Sequence, residues 1–170
     1  MGPAIAYSKI EKKVTTMHIR QAVPEDINEL KALYFGTITS INITDYNDDQ
    51  IKAWASTAER TDSLSKKIQD QYFYVLELKD KKIAGFGSLE KSGHLDMMYV
   101  HKDFQRQGFA TKLLSKIIET TKHLGIDLIT VDASITAKPF FERNGFVTIK
   151  EQHVSINDVV LINYKMELVV

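Results

Sequence analysis

Residues 99–114 read YVHKDFQRQGFATKLL and join the end of an apolar strand, through a short polar turn, to the first half of a helix. The helix is predicted because apolar residues recur on one face at a spacing of three or four, up to a stop at Gly125. They are Ala110, Leu113, Leu114, Ile117, Ile118 and Leu124. The N–H groups at a helix start lack partners and carry partial positive charge, so they attract anions. Gly108 and Ala110 have little side chain and let a phosphate come close, although an ordinary strand-turn-helix junction gives the same pattern.

The turn fits neither of two common phosphate-binding motifs. A P-loop needs a second glycine followed by Lys and Ser or Thr, and the dinucleotide fingerprint needs three glycines. The pattern Gln-x-x-Gly-x-Ala at Gln105, Gly108 and Ala110 instead resembles the coenzyme A pyrophosphate loop of the GNAT N-acetyltransferase superfamily. Residues 137–146, AKPFFERNGF, resemble the helix of that family that ends in Gly-Phe. The two motifs occur in the family's order, and the resemblance covers about residues 17–168.

Composition limits the classes of function. The chain has 170 residues, of which 44% are hydrophobic, and this suits one domain with a full core. Basic and acidic residues each number 22, so the formal net charge is zero and neither nucleic acid nor an anionic membrane is an expected partner. The lack of cysteine excludes disulfides, thiolate metal sites and a Cys acyl intermediate, and no metal is predicted. No apolar run approaches membrane-spanning length and no secretory signal is visible, so a cytoplasmic location is expected.

The order of elements follows from periodicity. Residues 1–16 show no core pattern and are expected to be an extension or an expression remnant, ahead of a single domain over residues 17–170. Helices are predicted from Pro24, after Asn47, and over residues 63–70, 110–124 and 136–144. Strands are predicted over residues 18–22, 72–78, 83–89, 94–100, 126–133, 146–156 and 159–168, the last two joined by a turn at Asn157-Asp158.

The connections predict how the strands pair. Short loops between the second, third and fourth strands imply an antiparallel meander. The strand-helix-strand unit that follows should make the strands of Val100 and Val131 parallel neighbours. The predicted architecture is an α/β single domain with a mixed, mostly antiparallel central sheet, one parallel strand pair and helices on both faces. This is the GNAT layout.

The resemblance implies a site for acetyl-CoA. The pyrophosphate would lie on backbone N–H groups of the turn, and the pantetheine arm would run along the fourth strand in a gap between two splayed strands. Ser134 stands where the family usually has an Asn that contacts the cofactor, and its alternative role is to cap the next helix. The residues expected to bind the cofactor are Met98, Tyr99, Val100, Gln105, Arg106, Gln107, Gly108, Phe109, Ala110, Thr111, Ser134 and Phe141.

The family's reaction is direct attack of an amine on the thioester, and it requires a proton acceptor. Alignment on Gln105 places His94 where several relatives carry their base, and Asp96 should project from the same face of the strand. Histidine titrates near neutral pH, which slightly favours His94; its alternative role is to cap the preceding turn. Many family members protonate the leaving thiolate with a Tyr, but this chain has Phe141 at that position. The proton must then come from Ser134, Tyr164 or water, or the thiolate must leave without being protonated.

The sequence therefore predicts an enzyme that transfers an acetyl group from acetyl-CoA to a primary amine of a small molecule, peptide or protein. The alternative is a non-catalytic acyl-CoA-binding sensor, because the same loop serves both. Tyr46 and Trp54 are candidate aromatics of the acceptor pocket, with a core role equally open for Trp54. The protein is expected to be a monomer or a homodimer.

Overall fold

A computed structural model describes residues 16–170. It contains one seven-stranded sheet in the order β1-β2-β3-β4-β5-β7-β6, with β4 and β5 as its parallel pair. The strands are β1 (Met17–Gln21), β2 (Tyr72–Leu78), β3 (Ile83–Leu89), β4 (His94–Val100), β5 (Leu128–Ser134), β6 (Val147–Ile156) and β7 (Val159–Val169). The helices are α1 (Ile27–Ser40), α2 (Asp48–Ala55), α3 (Thr61–Asp70), α4 (Phe109–Leu124) and α5 (Lys138–Arg143). The predicted fold class is confirmed, and the expected extension lies, except for Thr16, outside the described residues.

Helices cover both faces of the sheet. On one face, α4 buries Leu114 and Ile117 against β4 and β5, and α5 adds Phe141 to the same cluster. On the other face, α1 and α3 bury Leu30 and Leu64 against β2 and β3. No helix within residues 16–170 is long and apolar enough to cross a membrane.

Several boundaries differ from the sequence prediction, and β5 and α5 show local reasons for it. β5 begins at Leu128 rather than at residue 126, because Gly125 ends α4 with φ 68° and the N–H of Ile126 donates back to Thr121 at 2.9 Å. α5 is shorter at its start because the N–H of Ala137 donates to Ser134 Oγ, which closes a turn before the helix. α2 ends at Ala55, after which residues 56–59 form a 3₁₀ turn.

The parallel pair separates soon after it forms. Only His94↔Thr130 and Leu95↔Val131 are paired, while β5 continues along β7 as far as Ser134. A bulge in the pairing of β3 with β4 leaves Asp96 without a partner residue at the point where the separation starts. The expected gap between the two strands is therefore present, and it opens toward the start of α4.

Candidate active site

The gap between β4 and β5 is part of one cavity of about 610 Å³. Its walls are β4 from Leu95 to Val100, β5 from Val131 to Ser134, the turn before α4, residues of α5, and the segment after α1. The cavity therefore passes through the sheet and connects its two faces.

The turn before α4 has a backbone that is open to a ligand. Gly108 is the N-cap of α4 with φ 80°, and Arg106 also has a positive φ of 61°. A Cβ built on Gly108 would meet no atom within 4 Å, so glycine is required here by the backbone angle and not by crowding. The first N–H groups of α4 have no partners within the helix, and they lie at the cavity wall together with Ala110 and Thr111.

Gln105 fixes this turn to the end of β4. Its Nε2 donates to Val100 O at 2.7 Å, and Thr37 Oγ1 of α1 donates to the same oxygen at 2.9 Å. The N–H of His101 donates to Ala84 O of β3. Because backbone groups alternate in direction along a strand, the N–H of Val100 and the backbone groups of Met98 face away from β3 and into the gap.

The expected cofactor residues are not all at the cavity. The residues of the turn that line the cavity are Gln105, Arg106, Gly108, Phe109, Ala110 and Thr111. Gln107 does not line it. Phe109 is mainly a core residue, since it is 2% exposed and packs beside Leu113. Met98, Tyr99, Val100, Ser134 and Phe141 line it as well.

Phe141 lies at the border between the cavity and the core. The residue is 2% exposed, and its ring meets the ring of Phe146 edge-on with centroids 5.0 Å apart. Phe141 lines the cavity, but Phe146 does not. The ring therefore supplies an apolar surface and no proton where the family often has a hydroxyl.

Two carboxylates stand beside the gap on the face opposite α4. Leu95 and Val131 pack toward α4, so the neighbouring Asp96 and Asp132 project from the other face. Asp96 Oδ2 accepts hydrogen bonds from Lys67 Nζ and from Gln71 Nε2, the latter at 2.8 Å. Asp96 Oδ1 accepts none from residues 16–170, and both carboxylates line the cavity.

His94 lies on the same face but behind these carboxylates. Its Nδ1 is 2.8 Å from Thr130 Oγ1, and its Nε2 is 3.7 Å from Asp132 Oδ2. His94 is not among the residues that line the cavity. Of the two bases that the sequence suggests, the structure brings only Asp96 to the cavity wall.

Aromatic rings lie at the cavity on the same side of the sheet as Asp96. Tyr99 and Trp54 line it, and Tyr34 packs edge-on against Tyr99 with ring centroids 4.6 Å apart. Trp54 Nε1 donates to the Tyr34 hydroxyl at 3.2 Å. Burial raises the pKa of the Tyr99 hydroxyl well above its ordinary value, and nearby Tyr34 adds to the effect. The Tyr99 hydroxyl therefore stays protonated and is a hydrogen-bond donor.

Tyr46 has a different position from the one expected. It is buried, and its hydroxyl donates to Ile162 O at 2.7 Å and accepts a hydrogen bond from the N–H of Ile135 at 2.9 Å. Tyr46 does not line the cavity. It joins the segment after α1 to β7 and to the end of β5.

Several residues that line the cavity or contact Asp96 were not predicted from the sequence. Asp132 is the most important, and the signal for it was present: it lies between the apolar residues Val131 and Ala133, so alternation already placed it opposite the core. Lys67 and Gln71 have no such signal, because they reach Asp96 from 29 and 25 residues away. Arg143 of α5 also lines the cavity, and it lies within the motif of residues 137–146 that was recognised by its Gly-Phe end.

Comparisons with known proteins agree with this fold. The model of the acetyltransferase (GNAT) domain matches residues 42–168. The uncharacterized N-acetyltransferase YafP of Escherichia coli (strain K12) is 32% identical over 153 residues, which are 90% of this chain and 96% of that protein. A crystal structure of a GCN5-related N-acetyltransferase from Rhodopseudomonas palustris superposes with a TM-score of 0.88 at 31% identity, covering 92% of this chain and 97% of the other.

More distant structures share the fold. The PaiA N-acetyltransferase of Thermoplasma acidophilum, solved in complex with coenzyme A, has a TM-score of 0.76 at 17% identity over 91% of this chain and 99% of its own. The acetyltransferase yncA from Salmonella typhimurium, solved with acetyl-CoA, has a TM-score of 0.61 at 17% identity over 91% of this chain and 94% of its own. With the family model spanning three quarters of its length, this chain belongs to the GNAT acetyltransferase family.

Proposed function

We propose that this protein is an acetyl-CoA-dependent N-acetyltransferase that acts on a primary amine by direct attack. The observation that carries the proposal is the single cavity that joins the open helix start on one face of the sheet to two carboxylates on the other face. An acyl donor and an amine can then enter from opposite faces and meet in the gap. The complexes of the Thermoplasma protein with coenzyme A and of the Salmonella protein with acetyl-CoA add support.

The donor side fits acetyl-CoA, which supplies the acetyl group as a thioester. Unpaired N–H groups at the start of α4 suit a pyrophosphate, and Arg106 beside them adds positive charge. The inward backbone groups of Met98 suit the amides of a pantetheine arm, in the manner of an added strand. The N–H of Val100 points into the gap, where it can donate to the oxygen on which charge develops.

The acceptor side must remove a proton from the amine. Alkyl amines have a pKa near ~10.4, so most are protonated at neutral pH. Asp96 is the better placed of the two candidate bases, because it lines the cavity and its Oδ1 accepts no hydrogen bond from the described residues. Lys67 and Gln71 hold the other oxygen and fix the orientation of the carboxylate. His94 would have to act through a water molecule or through Asp132.

No side chain is required to protonate the departing thiolate. A free thiol has a pKa near ~8.5, which makes the thiolate an acceptable leaving group. Phe141 then shapes the end of the gap and keeps water from the thioester. The phenylalanine is also the one observation that favours a non-catalytic acyl-CoA-binding module, since it takes the place of a hydroxyl that many relatives use.

A thiol-release assay tests the proposal. The protein is incubated with acetyl-CoA and a panel of primary amines, and the acetylated product is identified by mass spectrometry. We expect thiol release that depends on the amine and equals product formed. Tight binding of acetyl-CoA in calorimetry without transfer to any amine would instead favour the sensor. Absence of acetyl-CoA binding would contradict both.

A further inference from the structure

The charged residues that line the cavity are separated by the sheet. Arg106 and Arg143 lie on the side covered by α4 and α5, where the donor is expected. Asp45, Asp96 and Asp132 lie on the other side, where the acceptor is expected. Of the described residues that line this second side, none is Lys or Arg. A cavity that is positive on one side and negative on the other favours an anionic ligand on the first side and a cationic ligand on the second.

One of the three carboxylates is already neutralised. Lys67 forms an ion pair with Asp96, so this carboxylate adds little net field. Asp45 forms no ion pair with any residue from 16 to 170, and it lies exposed at the mouth beside Thr44. Asp132 accepts a hydrogen bond from the neutral amide of Gln152, and the nearest imidazole nitrogen of His94 is 3.7 Å away. Lys165 lies opposite Asp132 on β7, but its ion pair is with Glu167. Asp45 and Asp132 therefore supply the negative charge that an acceptor would meet.

The aromatic wall agrees with a cationic ligand. Trp54 and Tyr99 line the cavity on the same side as Asp45. The faces of indole and phenol rings attract ammonium groups, and more strongly where water is excluded. An acceptor that carries a carboxylate near its reacting amine would be repelled by Asp45 and Asp132. Among the described residues that line this side, no Lys or Arg would offset the repulsion.

On these grounds we infer that the acceptor is an alkyl amine with a second positive charge, such as a diamine, and without a carboxylate. The inference rests on the proposed function and adds the chemical class of the acceptor. The reacting amine would approach Asp96 at the gap, while the second ammonium would lie toward Asp45 or Asp132 and the aromatic wall. Transfer then converts one ammonium into a neutral amide and leaves the second charge on the product.

Matched acceptors test the inference. Three amines share one alkyl chain and differ only at the far end, which is an ammonium, a methyl or a carboxylate; the set is repeated with four, five and six methylene groups. At the best length we expect kcat/KM for the diamine to exceed that of the methyl compound by about tenfold, since each half-exposed carboxylate contributes up to about fivefold. The carboxylate compound should be the poorest substrate. High salt should reduce the preference, because it screens exposed charges.

Variants locate the effect. Asp45→Asn and Asp132→Asn should each reduce the ratio of diamine to methyl-ended kcat/KM severalfold. Asp49→Asn is the matched control: it removes the same charge from an exposed position on α2 that does not line the cavity, and it should leave the ratio unchanged. An equal effect of all three substitutions would show a general field of the surface and overturn the inference.

Two further outcomes separate the inference from the proposed function. If methyl-ended or carboxylate-ended amines are acetylated as well as diamines, the enzyme stands and the inference fails. If no amine is acetylated, the proposed function fails, and calorimetry with the three amines tests the cation site by itself. Tighter binding of the diamine than of the other two amines, lost in Asp45→Asn, would support the cation site. Equal binding of the three amines would contradict it.

Discussion

At the scale of single residues, the two candidate bases differ in what surrounds them. Asp96 lies at the cavity wall with one free oxygen, whereas His94 is held by Thr130 behind it. Alternation along a strand places both side chains on one face of the sheet, but it does not show whether each one reaches the cavity. That depends on the bulge at Asp96 and on the residue at which β5 stops pairing with β4. Asp96 is therefore the base that we propose, ahead of His94.

We predict that Asp96→Asn lowers kcat by roughly 10²–10⁴, the usual effect of losing a positioned base, while acetyl-CoA affinity is unchanged. His94→Gln should lower kcat by less than tenfold. Because Asp96 also pairs with Lys67, Lys67→Met serves as the control for loss of the ion pair alone, and it should retain more activity than Asp96→Asn. Steady-state rates and calorimetry measure both quantities. A stronger loss in His94→Gln than in Asp96→Asn would return the role to the histidine.

Phe141 and Phe146 provide a second test at this scale. We predict that Phe141→Tyr changes the free energy of unfolding by less than about 1 kcal/mol, because the new hydroxyl can enter the cavity and meet water. Phe146→Tyr is the matched control: the ring is equally buried but does not line the cavity, so an unpaired hydroxyl there should cost about 1–3 kcal/mol. Urea unfolding measures both. Equal destabilisation would mean that Phe141 is purely a core residue.

At the scale of elements, most of the fold could be predicted from sequence. Periods of two and of about 3.6 are local signals, and they gave the order of strands and helices and the hairpin at Asn157 and Asp158, both of which have positive φ. The antiparallel meander followed from loop lengths. The gap between β4 and β5 did not follow from any period; it was expected only because of the resemblance to a known family.

The roles of side chains at the site were harder to predict, because their partners are distant in sequence. The Tyr46 hydroxyl forms hydrogen bonds with Ile135 and Ile162, which lie 89 and 116 positions further along the chain. An isolated aromatic residue in a helix-rich segment gives no indication of such partners. The ion pair of Lys67 with Asp96 likewise joins α3 to β4. Local patterns show which face a residue is on, but they do not show whether that face is core, cavity or solvent.

The start of α4 gives a prediction for one element. Any residue other than glycine at position 108 is strained by the φ of 80°, at a cost of about 1 kcal/mol. Gly108→Ala carries this strain without charge, and nothing lies near enough to clash with its Cβ. We predict that Gly108→Glu binds coenzyme A at least about tenfold more weakly than Gly108→Ala, because its carboxylate would lie against the pyrophosphate. Calorimetry with both folded variants decides it, and equal affinity would show that the phosphates bind elsewhere.

At the scale of the whole molecule, one arginine joins an edge strand to its surroundings. Arg20 of β1 donates two hydrogen bonds to Asp26, at 2.8 and 2.9 Å, and one to Glu77 of β2 at 2.9 Å. Burial alone would raise the pKa of each carboxyl, but the hydrogen bonds from Arg20, with help from the N–H of Val23 at Asp26 and from Lys81 at Glu77, lower it overall. His18 also approaches Glu77, at 3.3 Å.

A depressed carboxyl pKa in the folded protein stabilises the fold above the pKa of the unfolded chain, near ~4, and this contribution is lost as the pH falls through the folded values. We predict that Arg20→Gln lowers the free energy of unfolding at pH 7 by about 3 kcal/mol, because it leaves the buried carboxylate of Asp26 without a cation and that of Glu77 without its closest one. As the pH falls from 7 to acidic values, through the folded pKa values of the two carboxyls, both become protonated in either protein, so the difference from the parent should shrink. Lys66→Gln, which removes an exposed cation from α3, should match the parent over the same pH range. Urea unfolding measures the comparison, and a difference between Arg20→Gln and the parent that stays constant with pH would show that Arg20 acts through packing of its side chain alone.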